Sequence, residues 1–425
     1  MIVIGGGFAG LAAAREAAWA GRAVLLLEAR DRLGGRTWTS EWNSEAIEYG
    51  GQYVHWHQPH TFTEISRAGI ALEVDRAPDE TAWWVGNERR TGTMAQRDEI
   101  ARAGWDLFVE GVTEALPQPH APLAAIDRLA RFDRISMAER VDQLKLTDEQ
   151  RDVLLAELES VSSAPLQNAG AVAVLRWHAL SGYSLALTQF CGGRVTMRAP
   201  TRELLESVAG GASFERRLGT LVAAVRQTGG HVEVETRDGT MFPAAAVVVA
   251  VPLNVLGAIE FEPALSEAKQ AAIAQGQASR GVKLFIRARG PALEINTIRP
   301  GHPFGYLTTE ERYDDGSQLM LGFGLDAERC RIDDLSWVQR ELDRIVPGYQ
   351  LIDATMHDWL DDELARGTWA VHRPGWYEHH HAEMQRREGR VLLAGSDLAN
   401  GWSGFIDGAI ESGIRGGTLA AAISR

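Results

Sequence analysis

The chain has 425 residues, 45% of them hydrophobic and 24% charged, a balance that suits an ordinary globular protein of two or three domains. A formal net charge of -14 with a pI near 5.4 argues against nucleic acid or an anionic membrane surface as partner. The longest apolar run, Ala244 to Leu253, is too short to cross a bilayer, and the two cysteines, Cys191 and Cys330, form no metal or redox motif and fit a reducing cytoplasm.

The chain opens on Ile2-Val-Ile4, Gly5-Gly-Gly7-Phe-Ala-Gly10 and an Ala-rich stretch to Ala20, then Ala23 to Glu28. This reads as strand, glycine turn, helix and strand, half of a dinucleotide-binding βαβ unit. Gly5 permits the tight turn, Gly7 lets the backbone approach a pyrophosphate, and Gly10 lets helix and strand pack closely. With 44 glycines present, three at this spacing arise by chance roughly 0.4 times along the chain, so the flanking elements carry the signal. Glu28, 18 residues after Gly10, is placed to bind a ribose diol, with Arg30 beside it. The chain enters this first strand at once, which argues against a signal peptide. That strand is short, which leaves room for a start further upstream.

A second glycine segment follows, Leu33-Gly-Gly35-Arg36-Thr, and then Glu48-Tyr-Gly50-Gly51-Gln52. From Thr61 to Leu72 the pattern predicts a helix and a return strand. Helical periodicity dominates from Met94 to Gly182, with a capping box at Thr147 and Gln150 and a linker at Pro117 to Pro122. After Gly192-Gly-Arg194 come a helix at Thr201 to Ala209, strands at Leu221 to Val225 and His231 to Thr236, an Asp238-Gly239 turn, and an apolar strand at Ala244 to Val251. Val282 to Arg287 and Gln318 to Phe323 predict strands of another sheet, followed by a helix at Leu335 to Ile345 and a strand near Leu351 to Met356. Arg390 to Asp397 is a strand and turn, and Gly404 to Ile423 a long helix. No internal repeat is present.

These motifs resemble the flavin-containing amine oxidase family over the whole chain. The resemblance implies FAD, held noncovalently, rather than a nicotinamide. It implies a Rossmann-like α/β FAD-binding domain made of residues 1–75, 193–281 and 385–425. A second, α+β substrate-binding domain takes residues 76–192 and 282–384, so both are discontinuous. In the family the arginine matching Arg36, after Gly35, lies along the FAD pyrophosphate. The segment matching Gly50, Gly51 and Gln52 passes close to the isoalloxazine, and the backbone at the position of Val222 contacts the adenine. The closing run Gly395-Ser396-Asp397 through Gly404-Phe405-Ile406 is similar to the family's last motif. There the acid matching Asp397 binds near the pyrophosphate and ribityl chain, and the amide matching Ile406 meets the flavin carbonyl. Thr368 stands where some members carry the cysteine that bonds to FAD.

Lys283 is odd on an apolar strand, since a buried ammonium is costly unless paired or solvated; the alternative is a lysine that snorkels to solvent. The resemblance implies that it holds a water at flavin N5. It also implies that Trp369 and Phe405 form an aromatic pair around the amine. His55 follows the Gly50-Gly51 turn and is expected near the substrate face, either reading the substrate or filling the wall. The other histidines have no metal-site spacing.

The expected reaction is hydride transfer from a primary or secondary amine, cyclic or N-heterocyclic included. Hydrolysis of the resulting imine follows, and dioxygen or another acceptor takes the electrons, with hydrogen peroxide from dioxygen. Within the family Gly50 to His55, His357-Asp358-Trp359 and Gly395 to Asp397 look most like bacterial 6-hydroxynicotine oxidases. The resemblance allows a homodimer. Rival readings are an L-amino-acid oxidase, which would want a cation for the carboxylate, a polyamine oxidase using Glu310 and Glu311, and a flavoprotein scaffold without turnover.

Overall fold

A computed structural model describes residues 1–424. Five parallel strands form one sheet in the order Val391–Leu393, Val247–Val249, Ile2–Ile4, Leu25–Leu27 and Glu215–Arg217. Its strands are three residues long, and all but the exposed, charged edge strand Glu215–Arg217 are apolar, as expected where helices or a second layer cover both faces. The fold is therefore α/β with a Rossmann-like parallel core.

The helix Phe8–Trp19 returns from the first strand and packs against the last helix, Ile406–Ile423. Glycines permit this contact: a Cβ at Gly413 would stand 2.2 Å from Ala9 O, and one at Gly417 2.4 Å from Ala13 O. Because Gly413 faces Ala9 while Gly417 faces Ala13, the two helices run parallel. Both therefore aim their N-termini the same way, and the partial positive charges of two helix starts converge on one region.

A seven-stranded sheet makes the second layer, in the order Gln350–Met356, Val282–Arg289, Ser317–Gly324, Tyr306–Arg312, Ile295–Ile298, Glu80–Val85 and Glu88–Gly92. Helices between Met94 and Cys191 pack near it, among them Met94–Phe108 and Asp148–Ser162. The Thr147–Gln150 capping box forms as its sequence predicts, with two others at Thr93–Gln96 and Ser136–Glu139.

The apolar run from Ala244 to Val251 is not one strand. Met241–Ala244 closes an antiparallel meander with His231–Thr236 and Val222–Thr228, and the chain then crosses to the parallel sheet as Val247–Val249. Hydrophobicity does not mark where a chain leaves one sheet for another. The hairpin Glu80–Gly92 and the strands Ile295–Ile298 and Tyr306–Arg312 also carried no clear sequence signal. Their apolar stretches are short and interrupted by charge.

Arg15 and Glu64, 2% and 4% exposed, join the first helix to Pro59–Ala68 through two hydrogen bonds of 2.8 and 2.9 Å. Replacing Glu64 with alanine strands a buried guanidinium and is expected to cost about 3–5 kcal/mol. The double variant Arg15→Met/Glu64→Leu is expected to cost less than that single change. Denaturant midpoints of the three proteins check the order, and a double variant less stable than Glu64→Ala contradicts it.

Candidate active site

The first glycine turn is shaped by close approach. Gly5 has φ +102°, and a Cβ on Gly10 would lie 1.8 Å from Gly5 O, so only glycine fits there. At Gly7 nothing lies nearer than 3.7 Å to the added carbon, because that position opens on a cavity. Glu28 closes the turn, accepting from Gly6 N at 2.5 Å and Arg30 N at 2.8 Å. Burial raises its carboxyl above the usual range despite these donors. The Phe8–Trp19 helix starts without a side-chain cap, so its first amides are free toward the cavity. Ile406–Ile423 also starts uncapped, with Ile406 on the same cavity.

Arg36 draws three distant segments together. Its Nη1 donates to Thr368 O at 2.8 Å, and its Nη2 donates to Ser396 Oγ at 2.9 Å and to the Asp397 carboxylate. Asp397 is fully enclosed and also accepts from Leu253 N at 2.8 Å and Ser396 Oγ at 3.0 Å. Burial alone would raise its carboxyl, but Arg36 and these donors outweigh that and hold it below the usual range. Asp397 does not itself line the cavity but positions Arg36, which does. Arg30 lies at the cavity edge and pairs with Asp362 at 2.7 and 2.8 Å.

At the other end, a Cβ on Gly50 would meet Arg36 O at 2.0 Å. Glu48 holds this turn, accepting from Trp38 N at 2.6 Å, Gly50 N at 2.8 Å and Thr39 Oγ1 at 2.8 Å. Sequence reasoning missed Glu48; an acid between an apolar strand and a glycine pair was the available signal. Lys283 is buried and does not snorkel, which removes that alternative. Its Nζ donates to Glu48 O at 2.5 Å, Gly50 O at 3.2 Å and Gln52 Oε1 at 2.5 Å. Burial lowers its affinity for a proton, with Glu48 and Glu310 opposing. Three acceptors match the three N–H donors of an ammonium.

Trp369 and Phe405 both reach the cavity. Trp369 Nε1 donates to Val161 O at 3.1 Å, and its ring stands edge-on to Phe323 at 5.8 Å. Phe405 is edge-on to Trp177 at 5.4 Å and to Trp402 at 5.2 Å. Trp177, from the helical block, had no distinguishing signal in the sequence. Val222 lines the opposite end together with Thr220 and Arg237. Gly35, Gly51, Gln52, Gly395, Ser396 and Gly404 line the length between.

His55 does not line the cavity. It is completely buried behind Phe190, with Nδ1 3.0 Å from Cys191 Sγ and accepting from His57 N at 3.1 Å. Burial pushes its pKa down to about 4, so the ring is a neutral packing element. Glu310 and Glu311 are exposed, and Glu310 only approaches Gln52, at 3.5 Å.

One cavity of about 730 Å³ runs from Gly7 and Val222 to Lys283, Trp369 and Phe405. Its glycine cradle, the two uncapped helix starts and Arg36 supply amides and a cation where a dinucleotide's phosphates need them. The aromatic end gives an apolar wall beyond. These residues fit FAD.

A family model described as flavin containing amine oxidoreductase matches residues 8–417. A pseudooxynicotine dehydrogenase of a Pseudomonas species is 37% identical over 419 residues, covering 97% of this chain and 84% of that protein. The (S)-6-hydroxynicotine oxidase of Paenarthrobacter nicotinovorans is 30% identical over 420 residues, covering 97% and 96%. A putrescine oxidase solved with putrescine bound shares the fold with a TM-score of 0.82 at 19% identity, over 99% of this chain and 98% of that one. With motifs, cavity and these matches in agreement over nearly its whole length, the chain belongs to the flavin-containing amine oxidoreductase family, whose cofactor is FAD.

Proposed function

We propose that this chain oxidises a primary or secondary amine carried on or near an N-heterocycle, at the carbon next to the amine nitrogen. FAD, when bound, accepts a hydride from that carbon. The observation that carries the reading is that Trp369 and Phe405, from separate segments, line the same cavity as the buried Lys283. Their rings orient the amine and exclude water. No histidine stands at this end to take a proton, since His55 lies behind the wall, which suits an amine that arrives neutral. The product imine is hydrolysed by water. The names of the nicotine-derived relatives support an N-heterocyclic amine. No arginine among residues 51–56 offers a carboxylate site, which speaks against an L-amino acid.

In this reading dioxygen takes the electrons and yields hydrogen peroxide. The dehydrogenase name of the Pseudomonas relative favours a second reading with another electron acceptor. Peroxide formed per amine consumed, in air and with an added dye acceptor, separates the two. A reducing cytoplasm is supported by the two buried, unpaired cysteines.

Thr368 offers a hydroxyl, donating to Ser279 Oγ at 3.0 Å, where a thiol would be needed for a covalent flavin. The purified protein is therefore expected to be yellow and to release intact FAD on denaturation; colour that stays with the precipitate contradicts this. Anaerobic mixing with a panel of cyclic and N-heterocyclic amines is expected to bleach the flavin band. Trp369→Ala and Phe405→Ala should slow that bleaching while FAD stays bound. A panel without any bleaching overturns amine oxidation, and wild-type rates in both variants overturn the aromatic pair.

Lys283 anchors the Gly50–Gln52 turn to the substrate sheet and places a cation at the reacting end. Losing one such contact in a dry site costs about 3 kcal/mol, hence on the order of 10²-fold in rate. Lys283→Met is expected to show that loss in flavin reduction or reoxidation by stopped flow. Two unchanged half-reactions in an FAD-loaded variant would remove Lys283 from the chemistry.

A further inference from the structure

The cavity does not end at the aromatic pair. Trp369 stands edge-on to Phe323 at 5.8 Å, Phe323 lies against Tyr306 at 5.9 Å, and Tyr306 Oη accepts from Asn296 Nδ2 at 3.1 Å. Asn296 Oδ1 in turn accepts from Arg97 Nη1. An apolar corridor thus leads from the reacting end into a polar chamber, and Glu157 lines that chamber beside Trp105.

Distance along the corridor follows from one helix. Glu157, Ser160 and Val161 lie on the cavity face of Asp148–Ser162, at i, i+3 and i+4. Trp369 is fixed to this helix through Val161 O. Glu157 is four residues earlier, so its backbone is displaced by roughly 6 Å along the axis.

The Glu157 carboxylate is oriented but not saturated. Its Oε2 accepts from Trp105 Nε1. Its Oε1 stays 3.9 Å from Arg97 Nε, too long for a hydrogen bond, and that nitrogen has no partner. Arg97 is instead engaged with Asn296 and with Met94 Sδ at 2.9 Å. A carboxylate offers about four acceptor sites. Burial raises the Glu157 carboxyl above its usual range in spite of Arg97.

We propose that Glu157 binds a second, basic nitrogen at the far end of the substrate, about one helical turn from the oxidised amine across an apolar linker. This deepens the amine-oxidation reading and rests on it. A single proton serves in either form: an ionised carboxylate accepts from an ammonium or pyridinium, and a protonated carboxyl donates to a neutral pyridine nitrogen. The substrate class is an amine joined through a carbon chain or ring to a nitrogen heterocycle or second amine. An amine ending in plain hydrocarbon offers the Glu157 carboxylate nothing beyond the Trp105 Nε1–H it already holds and the Arg97 guanidinium at 3.9 Å.

The test uses FAD-loaded protein with 3-(aminoalkyl)pyridines of two to four chain carbons and the phenylalkylamines of matching shape. Wild type is expected to favour the pyridine series in kcat/KM by about 10- to 100-fold at one chain length, the worth of a charge-assisted hydrogen bond. Glu157→Leu can neither accept from a pyridinium nor donate to a pyridine, as a glutamine amide still could, and the ratio should fall toward one. Pyridine affinity, read by quenching of tryptophan fluorescence, should weaken in parallel. A wild-type ratio near one at every length overturns the distal site and leaves amine oxidation standing, whatever the variant does. A large ratio that Glu157→Leu preserves assigns the preference elsewhere and overturns the role of Glu157. Absence of flavin reduction by either series overturns both readings.

Discussion

The buried pair of Arg36 and Asp397 is the contact on which the site depends. Arg36 belongs to the second glycine segment, Asp397 to the closing motif, and the carbonyl that shares the guanidinium, Thr368 O, precedes the aromatic Trp369. A carboxylate this enclosed is stable only beside a cation, and a guanidinium on a cavity wall is held in one orientation only if its donors are met. Each group therefore fixes the other. Together they tie the segment of Arg36 to two segments more than 300 residues further along the chain, at separations of 332 and 361 residues.

The same economy appears at the other end, where Lys283 spends its donors on two backbone carbonyls and Gln52. The glycine turn it grips is braced from beneath by Glu48. Two cations, Arg36 and Lys283, and two helix N-termini thus serve the cofactor cavity. Negative charge on a bound dinucleotide meets donors along its length without a metal.

Much of the fold was legible in order along the chain. The opening strand, turn and helix, the capping box at Thr147, the helix Leu335–Ile345 and the strand Gln350–Met356 all lie where periodicity and caps put them. Local rules suffice there because the signal lies within a few residues. The glycines were legible for the same reason, since a tight turn or a Cβ collision leaves few residue choices. Interrupted strands such as Ile295–Ile298 and Glu80–Val85 were not, because they join the sheet by pairing with each other across some 200 residues of sequence, which no local pattern records.

Sequence by itself determined a dinucleotide-binding turn, the α/β core and many of the segments that line the cavity, because these depend on glycine geometry, helix starts and motif spacing; FAD in particular followed from the family resemblance. Tertiary structure alone decided which charged groups face the cavity and which stand behind it. Asp397 proved to be the support of Arg36, His55 a neutral filler behind Phe190, and Glu157, unremarked in its helix, the carboxylate of the distal chamber. The reason is that the cost of burying a charge is set by what packs against it from other segments, and no local pattern records that.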